Sequence, residues 1–317
     1  MIDLLGLGFG PNQLRVWASA GSIPELRRGY DRLWARPITN TASAVLALFA
    51  AGRHVARTLL PPLGELVEFL DGEGAFVHAR IAILPVAARH GASFIVCDRL
   101  DASGIETVCW PDDSSLHLTA AIPPGRRDTW LDLGCGSAPA QLVHPEYAHR
   151  LVASDLNPRA LRYAELGARL SRIAHLEPLH GDLANVHADL VTCNAPIPTL
   201  PGAPSEGPLW TSTDGDFVAR MLETARAALL AGGLIVVHAA LDSLVRALPR
   251  DLPGELVIVA YTPEGHAASG GREFAVAWWR PDAGPCRVLA RRALTPDRPH
   301  VDHTDREAAL AGTLSPL

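Results

Sequence analysis

The chain has 317 residues, of which 48% are apolar and 20% charged, with a net charge of −6 and a pI near 6.1. That length has room for two domains of ordinary size, and the apolar share supports a sizeable core and argues against wholesale disorder. The acidic balance argues against a protein held to nucleic acid by bulk charge, and leaves a local basic face open.

All 28 positive charges are arginines, a feature of base composition that carries no mechanism. The opening Met1-Ile2-Asp3-Leu4 has no basic segment of the secretory type. The longest clean apolar run, Ala44 to Ala51, is too short to span a bilayer. The five cysteines, Cys97, Cys109, Cys135, Cys193 and Cys286, form no Cys-x-x-Cys pair and read as reduced thiols packed as small hydrophobes. A cytoplasmic protein is the expectation.

Leu5 to Leu14, with Gly6, Gly8 and Gly10, resembles the opening of flavin-dependent N-hydroxylating monooxygenases. A dinucleotide turn also needs a second strand ending in an acid about 20 residues on. Residues 21–36 read instead as an amphipathic helix entered at Pro24, with Leu26, Tyr30, Leu33 and Trp34 on one face. A simple turn is expected at the glycines. Thr39, Asn40 and Thr41 offer N-caps for a second helix carrying Val45, Leu48 and Phe49, and a third follows Pro61-Pro62 with Leu63, Leu66, Val67 and Leu70. Phe76–Leu84 and Ser93–Val96 then read as a hairpin turning at His90-Gly91. Three helices and a hairpin are the element order of a winged-helix-like module, expected over residues 1–104. Residues 1–60 hold seven arginines against three acids, but no helix shows a basic run, so DNA binding is not expected.

From Thr129 the rhythm is strand, glycine turn, helix, strand. Thr129–Leu133, Leu151–Ser154, Leu190–Cys193 and Leu234–His238 are short apolar strands between helical stretches, which implies a parallel sheet covered on both faces. Leu256–Tyr261 and Glu273–Trp279, with no helix between them, must form a closing hairpin. The tail beyond Thr295 is expected to pack loosely. Its His300-Val301-Asp302-His303 segment has ligand-type residues but no second cluster, so no metal is expected.

The strongest signal is Trp130-Leu131-Asp132-Leu133-Gly134-Cys135-Gly136-Ser137-Ala138, a strand running into a glycine turn. Gly134 and Gly136 let backbone approach a ligand without Cβ clashes. Nineteen residues beyond Gly136, a second strand ends in Asp155, followed by Leu156. That carboxylate suits the two hydroxyls of a ribose. Pro139 replaces the third glycine of the dinucleotide pattern, and Asp132 is unhelpful beside a pyrophosphate but suits a sulfonium or ammonium cation. Asp182, in His180-Gly181-Asp182-Leu183, is placed to accept from an adenine amino group, and the fourth strand ends in Asn194-Ala195-Pro196-Ile197.

With these motifs in order, residues 105–317 resemble a class I S-adenosylmethionine-dependent methyltransferase, and more narrowly the branch whose fourth strand ends in Asn-Pro-Pro-Tyr. Trp110-Pro111-Asp112-Asp113-Ser114-Ser115 matches a segment folded over the cofactor, and Thr213-Asp214-Gly215-Asp216-Phe217 matches the branch's Asp-Gly segment. The resemblance implies a seven-stranded Rossmann-like α/β sheet ending in an antiparallel hairpin. It implies cofactor contacts from Asp132, Gly134, Cys135, Gly136, Asp155, Leu156, Asp182, Leu183 and Asn194. It also implies an acceptor nitrogen aimed by Asn194 and Pro196, belonging to a nucleic-acid base or a protein side chain. Ala195 and Ile197 depart from the pattern, and Ile197 removes the aromatic face that would stack on a planar target, for which Trp210 is a candidate replacement. The departure leaves open a small-molecule N- or O-methyltransferase, or a cofactor-binding regulator without turnover.

Overall fold

The computed structural model of the chain describes residues 2–72, 74–182, 186–198, 208–212, 216–249, 252–262, 273–284, 287–292 and 301–311. The N-terminal glycines form a turn with no strand before it. Four short helices follow: α1 (Pro11–Ala18), α2 (Ile23–Arg28), α3 (Tyr30–Leu33) and α4 (Thr41–Phe49). The expected first helix is thus split at Gly29. α4 starts as the sequence suggests, because Asn40 and Ser43 close a reciprocal capping box. Every residue from Ser43 to Phe49 is buried, so α4 is the axis of the N-terminal half.

Beyond α4, β1 (Val55–Ala56), β2 (Leu70–Asp71) and β3 (Phe76–Ala79) form a small antiparallel sheet in the order β1-β3-β2. The expected third helix is a short 3-10 stretch, Gly64–Phe69. The long hairpin is β4 (Ile81–Ala88) with β5 (Gly91–Asp98), turning through Arg89 and His90. A winged-helix arrangement is not shown. One apolar cluster runs from Phe9 and Phe49 through Phe94 to Leu142 and Tyr163, so the N-terminal half and the large sheet share a core.

The C-terminal part opens with α5 (Asp113–Ala121) and then alternates strand and helix: β6 (Arg127–Leu133), α6 (Pro139–Val143), β7 (Ala148–Asp155), α7 (Pro158–Leu170), β8 (Leu176–His180) and β9 (Ala188–Asn194). Two short bridging strands, β10 (Ile197–Pro198) and β11 (Thr211–Ser212), pair with each other. Then come α8 (Phe217–Ala228), β12 (Leu229–Ala240), α9 (Leu241–Ala247), β13 (Glu255–Tyr261), β14 (Phe274–Arg280), β15 (Arg287–Arg292) and α10 (His303–Leu310).

The main sheet has eight strands in the order β15-β13-β14-β12-β9-β6-β7-β8. Its first five strands in sequence are parallel, and β14 runs antiparallel between β12 and β13. The seven expected strands are therefore present, numbered 3-2-1-4-5-7-6 across the sheet, and the Rossmann-like α/β reading holds. The sheet departs from expectation at its edges. β8 is half exposed and carries Pro178, which is tolerated only at an edge. β15 pairs in parallel outside β13, so the antiparallel hairpin is not the end of the sheet.

The C-terminal segment also packs more firmly than expected. Asp302 and Asp305 cap α10 reciprocally, the Val301 N–H donates to His117 Nδ1 at 2.8 Å, and Val301, Asp305, Arg306 and Ala309 are buried. Among the described residues no helix is long and apolar enough to cross a membrane.

α7 fastens the hairpin to the sheet. A Cβ on Gly167 would lie 2.7 Å from the Phe94 carbonyl oxygen, so only glycine allows that approach. At the end of β5, the buried carboxylate of Asp98 accepts from Arg159 at 2.7 Å and from the Tyr163 hydroxyl at 2.9 Å, both on α7. A buried charge is stable only when paired and hydrogen-bonded in this way.

Candidate active site

Strand order reverses between β6 and β9, whose neighbours lie on opposite sides. In an open α/β sheet the carboxyl ends of the strands at such a point form a crevice. A cavity of about 240 Å³ lies there, lined by residues from the ends of β6, β7, β8 and β9.

Its floor is the glycine turn after β6. Gly134, Gly136 and Ala138 all adopt left-handed φ values of 63°, 56° and 55°. A Cβ on either glycine would meet nothing within 4 Å, so both positions border open space. The Cys135 N–H donates to the Ser154 carbonyl at 2.9 Å, which pins the turn to β7. Burial pushes the Cys135 thiol well above its ordinary range.

Asp155 closes the turn. Its two carboxylate oxygens accept from the Gly136 and Asn157 N–H groups, each at 2.7 Å. A third backbone N–H, from Leu156, also bonds this carboxylate, and the group borders the cavity. Burial raises its pKa, partly countered by these backbone donors.

Asp132 sits beneath the turn and is almost fully buried. It accepts from the Thr192 hydroxyl at 2.6 Å, and Thr192 in turn accepts from the Trp130 indole at 2.8 Å. Burial outweighs that hydrogen bond and pushes Asp132 up to about 7. Among the described residues no cation lies close enough to Asp132 to offset that burial.

Leu156 is exposed at the rim, and its carbonyl accepts from His180 Nε2 at 3.0 Å. Asp182 also reaches the wall but is half exposed and ion-paired to Arg220 of α8 at 3.4 Å. Leu183 and Thr213-Asp214-Gly215 lie outside the described residues.

The segment before α5 forms the roof. Its strap from Ile105 to Pro111 is held by the Val108 N–H on the Asp98 carboxylate at 2.8 Å and by the Trp110 indole on the Asp98 carbonyl at 2.7 Å. Asn157 adds a bond to the Glu106 carbonyl at 2.9 Å. Asp112 caps α5 through the Ser114 and Ser115 N–H groups, and the N-terminal half contributes Arg27 to the same wall.

Asn194 and Pro196 line the opposite wall at the end of β9. The Asn194 amide is already engaged. Its Oδ1 lies 2.8 Å from His238 Nδ1, and its Nδ2 donates to the Ser114 hydroxyl at 2.8 Å, with Ser115 further off at 3.5 Å. Pairing of Ile197 with Thr211 brings Trp210 onto the cavity wall beside Pro196, and its buried indole N–H has no partner among the described residues.

Sequence reasoning brought Asp132, Gly134, Gly136, Asp155, Asn194 and Pro196 together, and all of them border the cavity. It missed Thr192, His238 and Tyr261, which lie beneath or behind the wall. His238 ends a predicted strand, so its position at the carboxyl edge was the available signal.

No protein-family model matches the chain, and no curated protein sequence matches it. Among solved structures, it is similar to one described as a predicted O-methyltransferase from Agrobacterium tumefaciens, at 17% identity and TM-score 0.41, covering 64% of this chain and 97% of that one. It is similar to the tRNA m1G37 methyltransferase of M. jannaschii at 13% identity and TM-score 0.42, covering 64% and 59%. A ribosomal protein L11 methylase from Lactobacillus delbrueckii subsp. bulgaricus matches at 19% identity and TM-score 0.37, covering 53% and 76%.

Proposed function

We propose that the chain is a cytoplasmic methyltransferase that uses S-adenosylmethionine and methylates a nitrogen carrying at least one hydrogen. The observation that carries this reading is the pairing of two carboxyl groups, Asp132 and Asp155, with an open glycine turn at the sheet's crevice. A pyrophosphate would be repelled there, whereas a ligand with a ribose, no phosphate and a positive end is matched. The space above Gly134 and Gly136 fits close approach of such a ligand.

S-adenosylmethionine, when bound, supplies a methyl group on a sulfonium, which leaves to the acceptor's lone pair as the bonding electrons return to sulfur. Asp155 accepts from the ribose hydroxyls with the lone-pair capacity that its backbone donors leave. Asp132 faces the cationic end. Cys135 and Leu156 bound the adenosine region, and Asp182 accepts from the adenine amino group by exchanging away from its exposed partner Arg220. Leu183 is carried by the resemblance alone.

Asn194 has one unshared lone pair left on Oδ1, which accepts the acceptor's N–H and aims the nitrogen. Pro196 stiffens the turn that follows. Trp210 replaces the aromatic that Ile197 lacks and offers both a ring face and an indole N–H, favouring a planar acceptor such as a base or a side-chain amide. Asp112 also lines the cavity, and takes directly the proton that the methylated nitrogen must lose.

Asp155→Ala is expected to weaken binding of S-adenosylmethionine by roughly ten- to a hundredfold, through lost charge-assisted bonds and a loosened turn. Unchanged affinity by calorimetry would remove the ribose assignment. Asp112→Asn keeps an efficient N-cap for α5 but cannot take a proton. Transfer is expected to fall by about a hundredfold with the melting temperature retained. The reading itself is tested by incubating the chain with methyl-labelled S-adenosylmethionine and a cell extract. Label in protein or RNA supports it, and absence of label from every fraction favours the regulator without turnover.

A further inference from the structure

Behind the cavity wall a chain of hydrogen bonds links five side chains from four elements. The Tyr261 hydroxyl lies 2.7 Å from His238 Nε2, His238 Nδ1 lies 2.8 Å from Asn194 Oδ1, and Asn194 Nδ2 lies 2.8 Å from the Ser114 oxygen. The Ser114 hydroxyl in turn meets Asp112 Oδ1.

The direction of every bond follows from the last one. A carboxylate has only lone pairs to offer, and Asp112 Oδ1 also accepts the Ser114 N–H as the helix cap. Ser114 must therefore give its proton to Asp112 and accept from Asn194. That turns the Asn194 NH2 toward Ser114 and its carbonyl toward His238. The imidazole must then donate from Nδ1, which leaves Nε2 as an acceptor for the Tyr261 O–H. A flipped amide would set N–H against N–H, or else reverse every bond and leave the carboxylate facing a lone pair.

Among the described residues the imidazole nitrogens have no other partners. His238 is 1% exposed and lies parallel to the Phe274 ring at 5.6 Å, while Tyr261 is buried and packs on His117 at 4.1 Å. Burial holds His238 down to about 3, so it stays neutral and donates from one nitrogen only.

We propose that His238 and Tyr261 are positioning residues. Tyr261 fixes the imidazole as its Nδ1–H tautomer, and that N–H locks the Asn194 amide in the orientation that leaves one carbonyl lone pair for an N–H of the acceptor. The consequence for transfer rests on the methyltransferase reading; the locked tautomer does not.

The test uses the full-length chain. Long-range proton–nitrogen spectra of the histidine rings, with His238 identified by the signal lost in His238→Phe, are expected to show the Nδ1–H form in wild type. Tyr261→Phe is expected to add the Nε2–H form. An Nε2–H ring in wild type overturns the proposal.

Transfer of labelled methyl from S-adenosylmethionine to extract acceptors supplies the second readout. His238→Phe keeps the stacked ring but cannot donate, and is expected to lose transfer by about tenfold or more with affinity for S-adenosylmethionine unchanged. His238→Gln, whose amide N–H can replace the Nδ1 donor, is expected to recover part of the rate. Wild-type transfer by His238→Phe overturns the positioning role. If S-adenosylmethionine does not bind the wild type, the methyltransferase reading fails and the tautomer result still decides the proposal.

Discussion

Asn194→Ala is expected to abolish methyl transfer while leaving the affinity for S-adenosylmethionine close to wild type. The side chain offers the cavity an unshared carbonyl lone pair from a group fixed on both sides, by His238 at 2.8 Å and Ser114 at 2.8 Å. Misplacing a reacting atom by a fraction of its approach distance costs on the order of a hundredfold in rate, and alanine removes the aiming group altogether. The variant also leaves the His238 donor unpaired in a buried site, so a modest loss of stability accompanies it. Transfer by this variant at more than about a tenth of the wild-type rate would contradict the assignment.

Asp132→Asn is expected to act in opposite directions on stability and on binding. Burial raises Asp132 from its ordinary 3.8 to about 7. Between those values the folded chain holds a proton that the unfolded chain has released. The stabilisation associated with this group is therefore full below the ordinary value and is lost as pH rises through about 7. Asparagine keeps an oxygen to accept the Thr192 hydroxyl and never ionises. At pH 8 the ligand-free variant is expected to melt higher than wild type, with the difference vanishing near pH 4. Binding runs the other way. The ionised carboxylate attracts the cation of S-adenosylmethionine, so wild-type affinity is expected to rise with pH through about 7. The variant should bind about a hundredfold more weakly, consistent with removing one partner of a desolvated charge pair, and without that pH dependence. Melting curves and titrations at pH 5.5 and 8 check both halves. Equal melting temperatures at pH 8 would show that Asp132 is ionised there at no cost.

The legible parts of the fold were those written in short apolar runs. β6, β7, β9, β12, β13 and β14 each carry continuous burial over most of their length, which is why period and turn residues found them. β8 escaped because Leu176–His180 is an exposed edge containing proline, and its sequence resembles a loop. In the N-terminal half α4 and the hairpin match the sequence, while the other helices differ for a separate reason. The apolar spacing of this half suits helices, but Gly29 and the sequence from Gly64 to Phe69 break them into short turns, and tertiary packing on α4 and the hairpin decides the outcome. Of the site, the backbone-borne part was readable, because a glycine turn and strand-end carboxylates sit at fixed spacings. The side-chain network behind Asn194 was not, since Ser114, His238 and Tyr261 are far apart in sequence and meet only through the strand order. Trp210 reaches the wall through the Ile197–Thr211 pairing, which no local pattern announces.

The central claim, that this crevice holds S-adenosylmethionine, is tested most directly by calorimetric titration of the purified chain with S-adenosylmethionine and, separately, with S-adenosylhomocysteine. The account predicts micromolar binding of both, with the affinity for S-adenosylmethionine increasing between pH 6 and pH 8 as Asp132 ionises near 7. No binding of either compound would make the glycine turn a structural feature only and contradict the methyltransferase reading.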